Sequence, residues 1–381
     1  MLTLRPIVCA CGFFLAASLW AQTGQQAPAA PPAPDVLLFT NGEKLIGHLV
    51  RSTGSSVVFK SDSVGEVTVD WSKIKELRAA GQYAVVQKDV KLGKHEDASK
   101  IPQGTVSASD QKLEVQPGQG RPPETIPVSN SAYVIDQATF QRAVLRKAGF
   151  FQDWTGALTA GASLVEATQH NRTFTGGISL VRVMPTESWL ERSNRTTFDL
   201  TGSYGKLSQP GAPVLKTAIY HLDAERDEYL TSRVYGFGQM ALDHNYSQGL
   251  SLQQAYGGGI GWTVIRRDRQ ELDLKGSLNY VGQSFLAPNS ALNQHLVGST
   301  FGENFSQKFA RGLVFTEELS ATPSWNNTSA YSAAANAALL IPVYKRLSVN
   351  LSTTDTFLNN PPPGFRKMSF QFTMGATYTL R

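Results

Sequence analysis

The last thirteen residues before the terminal arginine constrain the whole chain. In Met368-Ser-Phe-Gln-Phe-Thr-Met-Gly-Ala-Thr-Tyr-Thr-Leu380 every even position is apolar and every odd one is small or polar. A strand sends successive side chains to opposite faces, so this segment carries one greasy face and one wettable face. A bilayer-crossing strand needs about 9–11 residues, and this one has enough. In water, so long and apolar an uncharged strand would invite edge-to-edge aggregation. In lipid it is what a barrel wall requires. The expected fold is all-β: an antiparallel transmembrane β-barrel of about twelve strands.

The chain begins with a pattern that fits export. Residues 1–21 read as a secretory signal, with Arg5 as the basic start, Ile7 to Trp20 as the apolar run and Leu19-Trp20-Ala21 as the cleavage site. The only cysteines, Cys9 and Cys11, lie inside it, so the mature chain has no disulfide, no thiolate metal site and no catalytic thiol. Residues 22–34 form a Pro/Ala/Gln linker. The formal net charge of +5 is spread without a basic block, which gives no sign of a nucleic-acid partner. No run after residue 21 is long and apolar enough for a membrane helix.

From Asp35 the pattern is short strands. Val36–Phe39, Asn41-Gly42 and Lys44–Arg51 read as a hairpin, followed by Val57–Lys60, Glu66–Trp71 and a helical turn over 72–77. This predicts a small SH3-like β-domain within 35–135. A weak echo about 56 residues on, with Lys44-Leu45 and Gly47 matched by Lys100-Ile101 and Gly104, suggests two related modules separated by a charged loop, 91–100. Asp136 is placed to cap a short helix over 136–149 with Phe140, Ala143, Val144 and the stem of Lys147 inward. That helix either packs under the barrel or plugs it.

Twelve strand candidates fill residues 150–381, from 154–165 to 368–380. Every second connection is compact and charged, as at Arg266–Gln270 and Lys345-Arg346. The alternate ones, such as Phe285–Gln294 and Leu358–Gly364, are longer and rich in Asn, Pro, Gly and Ser. Outer-membrane barrels sort their connections this way, and an even strand number returns both ends to the periplasm. Unpaired backbone groups in hydrocarbon cost several kcal/mol each, so the last strand must close on the first. Alternation assigns Leu274, Leu278, Tyr280, Phe370, Phe372, Met374 and Tyr378 to the lipid face. Adjacent Glu317 and Glu318 cannot both face the same way.

The opposite faces define the candidate lumen: Asp199, His221, Asp223, Glu225, Glu271, Asp273 and Lys275. Their balance is acidic, which favours cations or neutral polar solutes in any open path. His221 and Asp223 form the one constellation that could serve a barrel-embedded hydrolase, although no nucleophile motif accompanies them. The histidines have no metal-ligand spacing, and no cofactor is expected. Two functions follow: a structural barrel or narrow channel with a periplasmic interaction module, or a hydrolase using His221 and Asp223. The expected partners are outer-membrane lipid, the barrel-assembly machinery, and the cell wall or a periplasmic protein.

Two segments together carry a resemblance. Thr40-Asn-Gly-Glu-Lys-Leu-Ile-Gly47 with Gly65-Glu-Val-Thr-Val-Asp-Trp-Ser-Lys-Ile74 resembles a periplasmic β-module that precedes a certain barrel. Trp154-Thr155-Gly156 through Arg182 resembles the opening of that barrel. The family is that of salt-induced outer-membrane β-barrel proteins, whose role is not established. The resemblance implies an outer-membrane barrel and brings no substrate or catalytic residue. The chain departs from it at Gln169-His170, where a glycine is usual before the asparagine. It departs again at Arg381, where barrels commonly end in an aromatic residue.

Overall fold

A computed structural model describes residues 34–380 except 91, 93–99, 119–121, 147, 167–169, 209–212 and 287–291. The signal and most of the linker, most of the charged loop 91–100, Lys147, Gln169 and Arg381 lie outside the described residues.

The N-terminal domain contains β1 (Asp35–Phe39), β2 (Lys44–Thr53), β3 (Ser56–Ser61), β4 (Gly65–Asp70), β5 (Ile74–Gln87), β6 (Gln103–Ser109), β7 (Lys112–Gln116), β8 (Glu124–Pro127) and β9 (Ser131–Asp136). The expected small β-domain is one sheet of nine strands. The reason is the length of β5. Its first half lies between β1 and β6, and its second half reaches on to β9. The helical turn expected over 72–77 shrinks to a 3-10 turn at Trp71–Lys73, because Ile74 already begins that strand.

The same element order occurs twice. β2, β3, β4, the 3-10 turn 71–73 and β5 correspond to β6, β7, β8, the 3-10 turn Val128–Asn130 and β9. Each series pairs its last strand with the first strand of the other, β5 with β6 and β9 with β2, and β5 and β9 also pair together. Gly47 and Gly104 hold equivalent places. A Cβ at either would overlap the backbone of the neighbouring strand, at Lys60 or Gln116. Leu37, Val57, Phe59, Leu77, Leu113 and Val115 form the apolar core beneath. Asp35 is buried within it, its carboxylate accepting from Leu49 N and Ala80 N, both at 2.7 Å. Burial and the Asp35 carboxylate push the Tyr83 phenol above its ordinary pKa.

Asp136 caps a helix, accepting from Thr139 N at 2.9 Å. The helix α1 (Gln137–Phe140) runs into a π turn at Gln141–Leu145 and stops short of Gly149. Its last turn opens so that Arg146 N donates to Gln141 O. Phe140 is fully buried against Ala84, Val86, Ile135 and Leu190. The helix therefore packs between the sheet and a barrel turn rather than plugging the lumen.

The second domain is a closed barrel in strict sequence order: β10 (Thr155–Glu166), β11 (His170–Met184), β12 (Asn194–Ser208), β13 (Leu215–Tyr229), β14 (Val234–Asn245), β15 (Leu250–Arg267), β16 (Gln270–Phe285), β17 (Gln294–Lys308), β18 (Val314–Thr322), β19 (Ser332–Tyr344), β20 (Leu347–Leu358) and β21 (Met368–Leu380). Every pairing is antiparallel, and β21 closes on β10 through Leu158↔Tyr378 and Ala160↔Ala376. The even positions of β21 form the outer surface, with Phe370, Phe372 and Met374 exposed by 67%, 59% and 64%. Leu274, Leu278, Tyr280 and Tyr378 join them outside. No described helix is long and apolar enough to cross a membrane, a test that does not bear on strands.

Carboxylates also interrupt the apolar exterior. Glu303, Leu319, Ala335, Asp355 and Phe370 are successive register partners, so Glu303 and Asp355 share the outer face with Phe370. Of the adjacent pair, Glu317 lies outward opposite Phe305, and Glu318 lies inward opposite Asn304. No bulge is needed.

The turn Pro185 to Ser193, between β11 and β12, joins the two domains. Leu190 is 1% exposed in the shared apolar cluster. Trp189 lies edge-on to Tyr133, with ring centroids 5.9 Å apart, and under the Arg51 guanidinium at 5.3 Å. Arg142 bonds Glu187 at 3.0 Å.

Candidate functional site in the barrel lumen

Inward side chains of β12 to β16 form a charged rack at the end of the barrel nearest the N-terminal domain. Arg195 on β12 donates to Asp227 on β13 at 2.6 Å and, across the bore, to Asp273 on β16 at 2.8 Å. Arg192, in the preceding turn, grips Glu271 with two bonds of 2.5 and 2.7 Å. The planar guanidinium suits such bidentate holding. One level further in, Lys275 donates to Glu225 at 2.8 Å. Asp227 and Asp273 are 1% and 2% exposed, so Arg195 compensates two carboxylates withdrawn from water.

Aromatic rings complete the stopper. Arg195 lies 5.3 Å from the Tyr235 ring centroid, and Tyr235 OH donates to Asp273 at 3.3 Å. Tyr235 is fully buried because the facing strand is bare there: a Cβ on Gly261 would overlap its ring. Gly257, on the same inner face of β15, leaves room for the Asn279 carboxamide in the same way. The glycine-rich stretch 257–261 is thus a wall thinned to admit large neighbours.

His221 and Asp223 both face the bore, but the imidazole bonds elsewhere. His221 Nδ1 lies 2.6 Å from Asp243 Oδ1, its direct register partner on β14, while Asp223 is two residues along the same strand. Cross-strand partners stand closer than i and i+2 neighbours, which decides the pairing. Asp243 also accepts from Gln253 at 3.1 Å, Gln253 from Gln283 at 2.8 Å, and Gln283 from Asn360 at 2.9 Å. The imidazole belongs to a polar chain that climbs the bore. Asp199 lies inward on β12, opposite Asp223.

That chain ends in a lid. Asn360 belongs to the connection between β20 and β21, on the far side of the ring from β15 and β16. The connection crosses the mouth: Phe365 packs on Gly249, and Gln248 donates to Thr356 O and Lys367 O at 3.1 and 2.8 Å. Gly249 has φ 69°, a left-handed conformation that glycine adopts without cost. Leu250, Phe285 and Leu358 form an apolar patch beneath the lid.

The inner faces of β20 and β21 are uncharged and lined by small polar side chains, as in the Thr159–Thr377 contact at 3.0 Å between β10 and β21. Among the described residues, no group of three or more His, Cys, Asp or Glu side chains is arranged to hold a metal ion. Sequence reasoning missed Arg192, Arg195, Asp227, Asp243 and Glu318. Parity alone would have turned Arg195, Asp227, Asp243 and Glu318 inward; Arg192 sits in a turn and leaves no periodic signal.

A closed twelve-stranded antiparallel barrel with an apolar exterior, a polar charged bore and an appended β-domain defines the class of protein. The chain belongs to the family described as protein of unknown function, DUF481, whose model matches residues 158–380. No curated protein matches it. Among solved structures it is similar to the translocator domain of the autotransporter NalP from Neisseria meningitidis, at 12% identity and TM-score 0.33, over 59% of this chain and 87% of that one. It is also similar to the outer membrane channel DcaP of Acinetobacter baumannii, at 10% identity and TM-score 0.27, over 78% and 94%. These likenesses are weak, and the fold assignment stands on the strand register.

Proposed function

We propose that this chain is an outer-membrane barrel with its N-terminal domain in the periplasm. Its bore passes small cations or neutral polar solutes once the salt-bridged rack and the connection crossing the mouth give way. The observation that carries this reading is the charge balance of the bore. Asp199, Asp223, Glu225, Asp227, Asp243, Glu271, Asp273 and Glu318 face inward against Arg192, Arg195, Arg266 and Lys275. A low-dielectric wall concentrates that excess into a potential attractive to cations. The apolar exterior supports the placement, since a closed barrel leaves no strand edge unpaired in lipid.

Planar-bilayer recording under a potassium chloride gradient tests this. Wild type and Arg192→Gln should both select potassium over chloride, and the variant, with its grip on Glu271 broken, should conduct more. Anion selectivity in either would overturn the reading. Silence in both would leave a structural barrel in place of a channel.

A further inference from the structure

The barrel closes along the seam between β10 and β21, and that seam is paired over part of its length. Register partners run from Gly156↔Leu380 to Ala160↔Ala376, in the half nearest the N-terminal domain. Both strands continue past that point, β10 to Glu166 and β21 back to Met368. On its other edge each stays paired to the end, β10 with β11 as far as Glu166↔His170 and β21 with β20 as far as Phe357↔Met368. Gly161 and Gly375 stand at the fork. A Cβ on Gly161 would lie 2.8 Å from Met374 O, and one on Gly375 2.6 Å from Ala160 O. Beyond these glycines no register pair joins the two strands among the described residues.

At about 3.4 Å per residue and a tilt of about 40°, Ala162–Glu166 spans roughly 13 Å of depth, close to half of a hydrocarbon core about 30 Å thick. On their other edges β10 and β21 obey the rule that backbone groups in hydrocarbon pair within the wall. Here two open edges face one another, and a group with donors and acceptors of its own satisfies them.

Both sides of the fork suit an amphiphile. Outside, Phe372 and Met374 flank it on β21, 59% and 64% exposed. On the β10 side, the register partner of Ala162 is Phe174, which forms the rim of an apolar groove of about 470 Å³. Gly176 and Gly202 lower the floor of that groove, between Tyr204 and Tyr220. Inside, Thr173, Thr175, Gln371 and Thr373 face the bore, and the inner faces of β11, β20 and β21 carry no charge. Thr175 Oγ1, beside Gly161, is buried and has no hydrogen-bond partner among the described residues.

We propose that the fork is a lateral portal, through which an amphiphile with an uncharged, hydroxyl-bearing head group passes between the outward leaflet and the bore. The head group bonds Thr175 and the open strand edges, and the acyl chain lies in the groove. The inference rests on the outer-membrane placement proposed above, which puts the fork in the leaflet facing outward. The uncharged inner lining selects a neutral head over a phosphate, which would enter without a counter-charge.

The test uses the full chain in lipid vesicles and a monoacylglycerol carrying a photoactivatable diazirine on its head group. Two comparison probes carry the same diazirine, one a glycerol without the acyl chain and one a lysophosphatidate. Adducts are mapped by mass spectrometry. The monoacylglycerol should label Thr175 and Thr373, inside the wall, far more than either comparison probe. Equal labelling by the glycerol would mean entry along the barrel axis and would overturn the portal; equal labelling by the lysophosphatidate would overturn the head-group class. Continued past the glycines, the register would pair Ala162 with Met374, and the chain has no cysteine beyond Cys11. In Ala162→Cys/Met374→Cys, oxidation should therefore bridge the fork and abolish the inner adducts, and reduction should restore them. Ala157→Cys/Thr379→Cys, in the zipped half, should oxidise without changing them. Adducts that survive the bridge between residues 162 and 374 overturn the proposal. The axial path does not cross this seam, so a barrel that selects potassium yet gives no inner adducts overturns this inference alone. A chain that fails to insert removes both.

Discussion

The guanidinium of Arg195 on β12 spans the bore to the carboxylate of Asp273 on β16, 2.8 Å away, while its Nε donates to Asp227 at 2.6 Å. One side chain thereby ties three strands across the inner mouth. Replacing it leaves two buried carboxylates without a counter-charge, a change that costs about 3–5 kcal/mol. Arg195→Ala should lower the guanidinium midpoint of barrel unfolding accordingly. Arg226→Ala, on the outer face at the rim and bonded to exposed Glu228, should shift it by less than about 1 kcal/mol.

The inner face of β15 makes a separate prediction. Gly261→Ala forces a methyl into the Tyr235 ring, and overpacking of this kind costs about 1–3 kcal/mol. Gly276, outward on β16, has nothing within 4 Å of an added Cβ, so Gly276→Ala should fall within about 0.5 kcal/mol of wild type. Denaturant titration of both variants, followed by tryptophan fluorescence, checks the contrast.

Docking of the two domains depends on the turn 185–193. Leu190→Ala removes a fully buried side chain from the shared cluster, costing about 2–5 kcal/mol locally. Limited proteolysis should then cut within 146–154 faster than in wild type, while the barrel band retains its heat-modifiable mobility. An unchanged cleavage rate would mean that the contact does not hold the domains together.

The strands were legible because lipid imposes a strict rule on one face of each. The alternation of β21 and of Leu272 to Tyr280 on β16 needs no tertiary information. The echo between Gly47 and Gly104 was legible for a related reason, since close backbone approach at two equivalent crossings forbids a Cβ. What could not be read was anything set by register or by a loop path. His221 meets Asp243 twenty-two residues away only because β13 and β14 pair in one particular register. The lid carries Asn360 over to Gln283 without local periodicity. The joining of two strand series into one sheet through the long β5 likewise leaves no local pattern.

Neighbouring residues Phe372 and Thr373 test the central claim, that grease faces out and polar groups face in. Each is changed to Arg, and unfolding free energy is measured in lipid vesicles. Phe372→Arg, outward near mid-strand, should cost about 2–4 kcal/mol, and Thr373→Arg, facing the bore, much less. Equal costs, or the larger cost at Thr373, would contradict the assigned faces and with them the membrane barrel.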